Sequence, residues 1–557
     1  MASWRCSAVA LAAAQLFSQQ PPPRAVEIRV DAAAKLEPFR PIYAYFGYDE
    51  PNYTYTANGR KLLAELAALS PVPVAIRTHH LLVTGDGIPA LKWGSTNVYT
   101  EDAAGHPVYD FAIVDRIFDT WRQAGAEPFV ELGFMPKALS ANPEPYTLHW
   151  PADDGRGWSY PPKDYARWAE LVRQLVRHAV ERYGQSEVER WRWELWNEPD
   201  IFYWRGTAAE YDKLYDYTTD AVKRALQRAP VGGPATTGPG NAKAAAYLAQ
   251  FLEHCARGVN AVTGERGAPL DFISYHAKGS PEVVAGNVRM GLGKELVDVA
   301  RGLEIIHQFP EFRALPIILS EADPEGCAAC SARQYPRNVY RNGTLYPSYT
   351  AAALHGIIQL AGRHNANLAG MLTWAFEFEG QPYFDGFRTL ATNGIDKPVL
   401  NLFRMAGLLA GDRVKVESAG AAGLDAILQS GVRGAPDIDG LATRSAHDVA
   451  VLVWNYHDDD LPAEVAPVHL SVSGLPAAAG RVLIQHYRVD DDHSNAYTAW
   501  QRMGSPAEPS PEQYAQLEAA GQLQLLNSPA WLQARNGQLA VDFQLPRHAV
   551  SLVRISW

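Results

Sequence analysis

Glu198 closes the run Trp191-Arg-Trp-Glu-Leu-Trp-Asn-Glu-Pro-Asp200, and Glu321 closes Pro316-Ile-Ile-Leu-Ser-Glu. Each is a carboxylate delivered by an apolar or aromatic run of the kind that packs on a pleated surface. Burial beside apolar rings raises a carboxyl pKa, which a general acid working near neutral pH requires. Two such groups brought to one place could serve as the acid and the nucleophile that cleave a glycosidic bond. The chain has 61 acidic residues, most of which need no role beyond solvation or a structural ion pair, so the joint occurrence singles these two out. Counting by twos puts Arg192, Glu194, Trp196 and Glu198 on one strand face and Asn197 on the other, unless a bulge breaks the parity. Glu194 then reads as an ion-pair partner of Arg192.

The elements that must position the pair follow from periodicity. Strands are expected at Ile42–Phe46, Val72–Arg77, Glu127–Gly133, Trp191–Trp196, Pro230–Pro234, Phe272–Tyr275, Pro316–Ser320 and Met371–Ala375, with amphipathic helical stretches such as Lys163–Tyr183 between them. Eight βα units predict an α/β fold, a (β/α)8 TIM barrel, in which Glu198 follows strand four and Glu321 strand seven, both at the carboxyl-end mouth. A doubly wound sheet is the alternative, but no glycine-rich phosphate loop follows an early strand, so no nucleotide cofactor is expected. Beyond residue 406 short alternating segments such as His447–Tyr456 and Val482–Arg488 predict an accessory all-β sandwich domain. The strand-like Val26–Asp31 is expected to pair with it. The domains are thus 1–23 as an export signal or N-terminal extension, 40–405 as the catalytic barrel, and 24–39 with 406–557 as the sandwich.

A net charge of −11 argues against nucleic acid as a partner, since no basic stripe is available to displace counterions. The early Arg5 and the apolar run Cys6–Phe17 predict a periplasmic or secreted protein, with a cytoplasmic one as the alternative, and the run is too short for a membrane anchor. Of four Cys, Cys327 and Cys330 form a lone CxxC without the second pair of a structural zinc site, so a local disulfide or two thiols is expected and no metal. Oligomeric state has no signature in the sequence.

Several long motifs resemble glycoside hydrolase family 39, which contains β-xylosidases and α-L-iduronidases: Phe46-Gly-Tyr-Asp-Glu-Pro-Asn-Tyr53, Phe129-Val-Glu-Leu-Gly-Phe-Met-Pro136, Trp193-Glu-Leu-Trp-Asn-Glu-Pro199, Ile273-Ser-Tyr-His276, Leu319-Ser-Glu321 and Tyr487–Trp500. The resemblance implies a barrel with an accessory β-sandwich, Glu198 as acid/base and Glu321 as nucleophile of a retaining mechanism acting on small oligosaccharides. By the same resemblance Asn197 donates to the sugar 2-hydroxyl, and Glu377 and Glu379 fall in a sugar-binding segment, although Trp374-Ala-Phe-Glu-Phe-Glu-Gly380 is shorter than the xylosidase pattern. Position at strand ends adds His79 in preference to His80 against a sugar hydroxyl, Tyr275 or His276 as hydrogen-bond partner of Glu321, and Trp374 as the floor under the ring. Loops 138–162 and 490–500 are expected to wall the pocket. Arg388 and Lys278 are the cations near the mouth, but nothing marks a dedicated anion site. A neutral pentose is therefore expected: β-D-xyloside cleaved from the non-reducing end, with an α-L-iduronidase-like or α-L-arabinosidase activity as alternatives and a non-catalytic carbohydrate-binding protein as the alternative of another class.

Overall fold

The computed structural model describes residues 25–146, 157–476 and 480–557. The expected export signal at 1–23 and part of the expected wall, 147–156, lie outside the described residues. Among those described, no helix is long and apolar enough to cross a membrane.

Eight parallel strands close into a barrel: β1 (Tyr45–Tyr48), β2 (Ala75–Thr78), β3 (Glu127–Leu132), β4 (Arg192–Leu195), β5 (Val231–Thr236), β6 (Phe272–Lys278), β7 (Ile317–Asp323) and β8 (Leu368–Trp374), with β8 pairing back onto β1. Each overlaps a strand expected from the sequence. The strands are buried on both faces, because helices cover the outside and side chains fill the inside. The intervening helices start where the sequence offers caps. Asp164 accepts from the backbone N–H groups of Ala166 and Arg167 to open Tyr165–Tyr183, and Thr207 forms a reciprocal capping box with Glu210 to open Ala208–Ala225.

The accessory domain is one mixed sheet of ten strands whose connections carry helices at Leu424–Ser430, Ala496–Arg502 and Pro511–Gly521, so it is not purely β, and both ends of its hydrogen-bonded path feed one apolar core. That core joins Val482 and Ile484 near one end to Phe543 and Leu545 at the other. Val26–Pro38 is an inner strand of this sheet, antiparallel to Asp412–Ser418 and parallel to Ala466–Ser473, with Val30 opposite Val416 and Val472.

The sheet also braces the barrel mouth. Arg289, in a hairpin after β6, pairs with Asp459 at 2.5 Å, and Met290 N–H donates to the Asp458 carbonyl. Tyr497 and Trp500, within the expected wall 490–500, pack on Phe384 of the loop after β8. They support that loop from behind. Cys327 and Cys330 are joined as a disulfide in the loop after β7.

Because Val26–Pro38 supplies hydrogen bonds to two neighbours, its core side chains are integral to the sheet. Ile28→Ala, at a fully buried position, is expected to cost about 3 kcal/mol, read as a lower unfolding temperature. An unchanged midpoint would show that this strand is not integral to the domain.

Candidate active site

Glu198 and Glu321 meet at the barrel mouth, with His276 of β6 between them. His276 Nδ1 lies 2.9 Å from Glu198 Oε1 and 3.8 Å from Glu321 Oε1, and one ligand atom from each of the three falls within 4.8 Å of the others. Asn197 and Glu198 both turn toward this centre, because regular alternation fails after β4: Trp196 and Glu198 have φ of 67° and 44°. The Glu198 N–H is anchored on the Ala235 carbonyl at 2.9 Å, which ties the strained turn to β5.

Beneath the pair lies Arg77, fully buried at the end of β2. Its guanidinium donates to Glu194 at 2.5 Å and to Asn197 Oδ1 at 3.2 Å, pairs with Glu131 at 2.9 Å, and lies 3.6 Å from Glu321 Oε1. Glu131 Oε2 also holds His79 Nδ1 at 2.6 Å. The other ring nitrogen of His79 points at Asp49 Oδ1 (3.5 Å) and Glu321 Oε1 (3.6 Å). Burial, together with the cationic Arg77 beside it, pushes the His79 pKa well down, so the ring is neutral. Burial and the Glu194 and Glu321 charges push Glu131 well up against the pull of Arg77. Lys92 anchors Asp49 at 2.7 Å, and the Trp374 indole N–H approaches the same carboxylate at 3.3 Å.

Glu321 is the carboxylate surrounded by cations. Lys278 Nζ bridges Glu321 Oε2 and Asp323 Oδ2, both at 2.6 Å. Burial alone would raise the Glu321 carboxyl, but His276, Lys278 and Arg77 outweigh it and hold the pKa down to about 2. Glu198 has His276 as its partner and remains partly open to the mouth. The three ligand atoms around His276 are close enough to grip a cation, but the ammonium and guanidinium already against Glu321 oppose a further positive charge.

His79, Asn197, His276, Glu198 and Glu321 are therefore brought together. Other expected residues are placed differently. Tyr275 faces away from the barrel axis, its hydroxyl donating to the Val299 carbonyl at 3.0 Å, because its neighbour His276 occupies the inward phase of β6. Of that pair only His276 reaches the site, and its hydrogen bond goes to Glu198 rather than Glu321. The Trp374 ring is only 2% exposed, covered by His79 at 4.2 Å and the Arg77 guanidinium at 5.2 Å, so its role is that of a wall behind His79 rather than an open stacking floor. Glu377 accepts from the Gly394 N–H, which pins the turn between Ala391–Thr392 and Ile395–Asp396, and Glu379 accepts from Asn58 Nδ2 of the helix Ala57–Leu69. Burial pushes the Glu377 pKa up to about 8, as befits a neutral structural acid. Glu194 pairs with Arg77, whereas Arg192 faces Glu127 at 3.5 Å.

Asp49, Lys92, Glu131, Tyr203 and Asp323 escaped expectation. Asp323 and Lys278 stand two residues beyond Glu321 and His276, and the period of two alone would have found them. Asp49 and Glu131 sit inside motifs already singled out. Tyr203 had no such signal: its ring comes within 6.5 Å of His79 only because the loop after β4 folds back.

Two carboxylates with oxygens within 4.8 Å of each other, one held ionised, at the mouth of a (β/α)8 barrel form a site suited to glycoside hydrolysis. Residues 26–531 match the model for glycosyl hydrolases family 39, and the chain belongs to that family. It is 28% identical to a β-xylosidase of Caldicellulosiruptor saccharolyticus, over 80% of this chain and 83% of the relative. It is 27% identical to the α-L-iduronidase of Mus musculus, over 95% and 80%. A monomeric β-xylosidase from Caulobacter crescentus has the same fold, with a TM-score of 0.75 at 22% identity, covering 95% of this chain and 99% of that one. The chain is a glycoside hydrolase.

The depressed pKa of Glu321 has a sign that can be tested. The ionised form is favoured down to about pH 2, so the stability it contributes is present above the ordinary carboxylate value and lost as pH falls through the folded one. Lys278→Met removes one of the cations that hold it down. The acid limb of the kcat/KM profile is then expected to move to higher pH, and a limb that stays in place would show that Lys278 does not govern Glu321.

Proposed function

We propose that this chain is a retaining exo-glycosidase that releases β-D-xylose from the non-reducing end of short xylo-oligosaccharides. The observation that supports the division of labour is the asymmetry between the carboxylates: four cationic or imidazole groups, Arg77, His79, His276 and Lys278, lie within 3.8 Å of Glu321, whereas among the described residues only His276 pairs with Glu198. Glu321 attacks the anomeric carbon as the C–O bond to the leaving group breaks, and Glu198 gives its proton to the departing oxygen. Water then attacks the same carbon from the side the leaving group vacated. Its proton passes to Glu198, and the C–O bond to Glu321 breaks, so the configuration is retained. Asn197 keeps its Oδ1 on Arg77, which leaves the amide N–H groups to donate to the sugar 2-hydroxyl.

A neutral sugar fits because both cations near the mouth are already engaged. Lys278 bridges two carboxylates, and Arg388 is wholly buried against the Trp374 carbonyl, Glu325 and Asp323. Neither presents the open fork that binds a sugar carboxylate in two-point fashion. The β-xylosidase relatives point the same way. Lys278 beside the proposed nucleophile is the feature that favours a second possibility, an α-L-iduronide, in which a sugar carboxylate displaces one of its partners.

A panel of aryl β-D-xyloside, α-L-arabinopyranoside and α-L-iduronide separates these. The xyloside is expected to turn over fastest, with β-xylose as the first product by proton NMR. Initial release of α-xylose would contradict retention, and exclusive turnover of the iduronide would replace the substrate assignment. Glu321→Ala is expected to abolish turnover, and Glu198→Gln to lower kcat/KM by about 10²–10⁴-fold. Activity surviving in Glu321→Ala would remove Glu321 as nucleophile.

A further inference from the structure

The loop that bears Glu198 continues into a large apolar side chain left open to solvent. Phe202 is 44% exposed, although the backbone around it is well braced. The Ile201 N–H donates to the Glu198 carbonyl, the Trp204 N–H to the Ile201 carbonyl, and Asp200 accepts from the Thr237 N–H at 2.9 Å. A phenyl ring held out on such a loop loses little freedom on binding a partner surface.

Its neighbours connect it to the centre. The Phe202 ring lies 4.3 Å from Tyr203 and 6.1 Å from Tyr146, and Tyr203 stacks on the buried Phe134 at 5.4 Å and 7° and comes within 6.5 Å of His79. The Tyr203 hydroxyl lies in the field of both Glu198 and Glu321. Phe202 is thus the outermost of a row of rings that runs from His79 through Tyr203 to the surface. The side on which it stands follows from the chemistry. Glu198 protonates the departing oxygen, so the leaving group sits against the loop of Glu198, whereas the sugar being transferred sits over Glu321 and His79.

We propose that Phe202 is the stacking platform for the leaving group, taking the apolar C–H face of the next sugar or the ring of an aryl aglycone. This rests on the assignment of a xyloside-cleaving retaining mechanism with Glu198 as acid. Phe202 determines preference among leaving groups and takes no part in the bond-breaking itself. Tyr203, half-buried behind it, packs against its ring at 34°.

The test compares kcat/KM on β-1,4-xylobiose, whose leaving group is a sugar, with kcat/KM on β-D-xylosyl fluoride, whose leaving group offers no face to stack on. In Phe202→Ala, xylobiose is expected to lose about 10-fold and the fluoride less than about twofold, on the scale of one aromatic contact. Phe202→Tyr, which keeps a ring, restores the wild-type ratio. Equal loss on both substrates, or no loss on xylobiose, overturns the platform while leaving the hydrolase assignment intact. A wild-type protein that cleaves neither substrate overturns the xyloside assignment, and the platform falls with it. Unchanged thermal unfolding in Phe202→Ala ensures that the ratio reports the site rather than the fold.

Discussion

A guanidinium buried in the middle of a barrel is tolerable only if anions surround it, and Arg77 imposes that condition on three strands at once. Removing a charge from water costs several kcal/mol, and the cost is offset only where geometry and hydrogen bonding are good. Arg77 therefore has Glu131 of β3, Glu194 of β4 and, at longer range, Glu321 of β7 as partners, with Asn197 taking a further N–H. Three carboxylates around one cation is an excess of negative charge. Burial and the neighbouring charges raise the Glu131 carboxyl well above its ordinary range, and Lys278 meets the negative charge from the other side of Glu321. The orientation of Asn197 and the placement of Glu131, which holds His79, depend on this buried cation, and it shares with His276 and Lys278 the work of holding Glu321 ionised.

The difference between the two carboxylates of the proposed pair follows from where the cations lie. Lys278 and Arg77 approach Glu321 because β6 and β2 bring them to its side of the mouth. Glu198 is carried by a turn with two left-handed residues, which lifts it off the strand and onto the rim, beside His276 and close to the aromatic row. A cation-rich floor and an aromatic rim thus give the two carboxylates unlike surroundings.

The accessory sheet contributes rigidity to that rim. Its strands seal a core of their own, yet its loops reach the barrel through Arg289 and Asp459 and through the rings of Tyr497 and Trp500 on Phe384. The loops after β7 and β8 are cross-tied through Glu325, which takes both Arg341 and Arg388, and Arg388 also holds the Trp374 carbonyl. The wall behind His79 is thereby fixed from outside the catalytic centre.

The eight strands, the pairing of Val26–Pro38 with the C-terminal domain, and Glu198 and Glu321 as the central pair were all legible in the sequence. Each rests on a local pattern: alternation of two, helical spacing, or a carboxylate that ends an apolar run. Asp323 escaped expectation although period two places it, like Lys278, on the inward phase of its strand with Glu321 and His276. What the tertiary structure alone decided was partnership. Glu194 pairs with Arg77 across strands rather than with Arg192 beside it, His276 reaches Glu198 rather than Glu321, and Tyr275 turns outward. Asn197 and Glu198 share one side only because Trp196 and Glu198 leave the regular strand conformation. Such choices depend on side chains brought within a few ångströms from distant positions and on the energy of burying charge among them, and no periodicity along one strand contains that information.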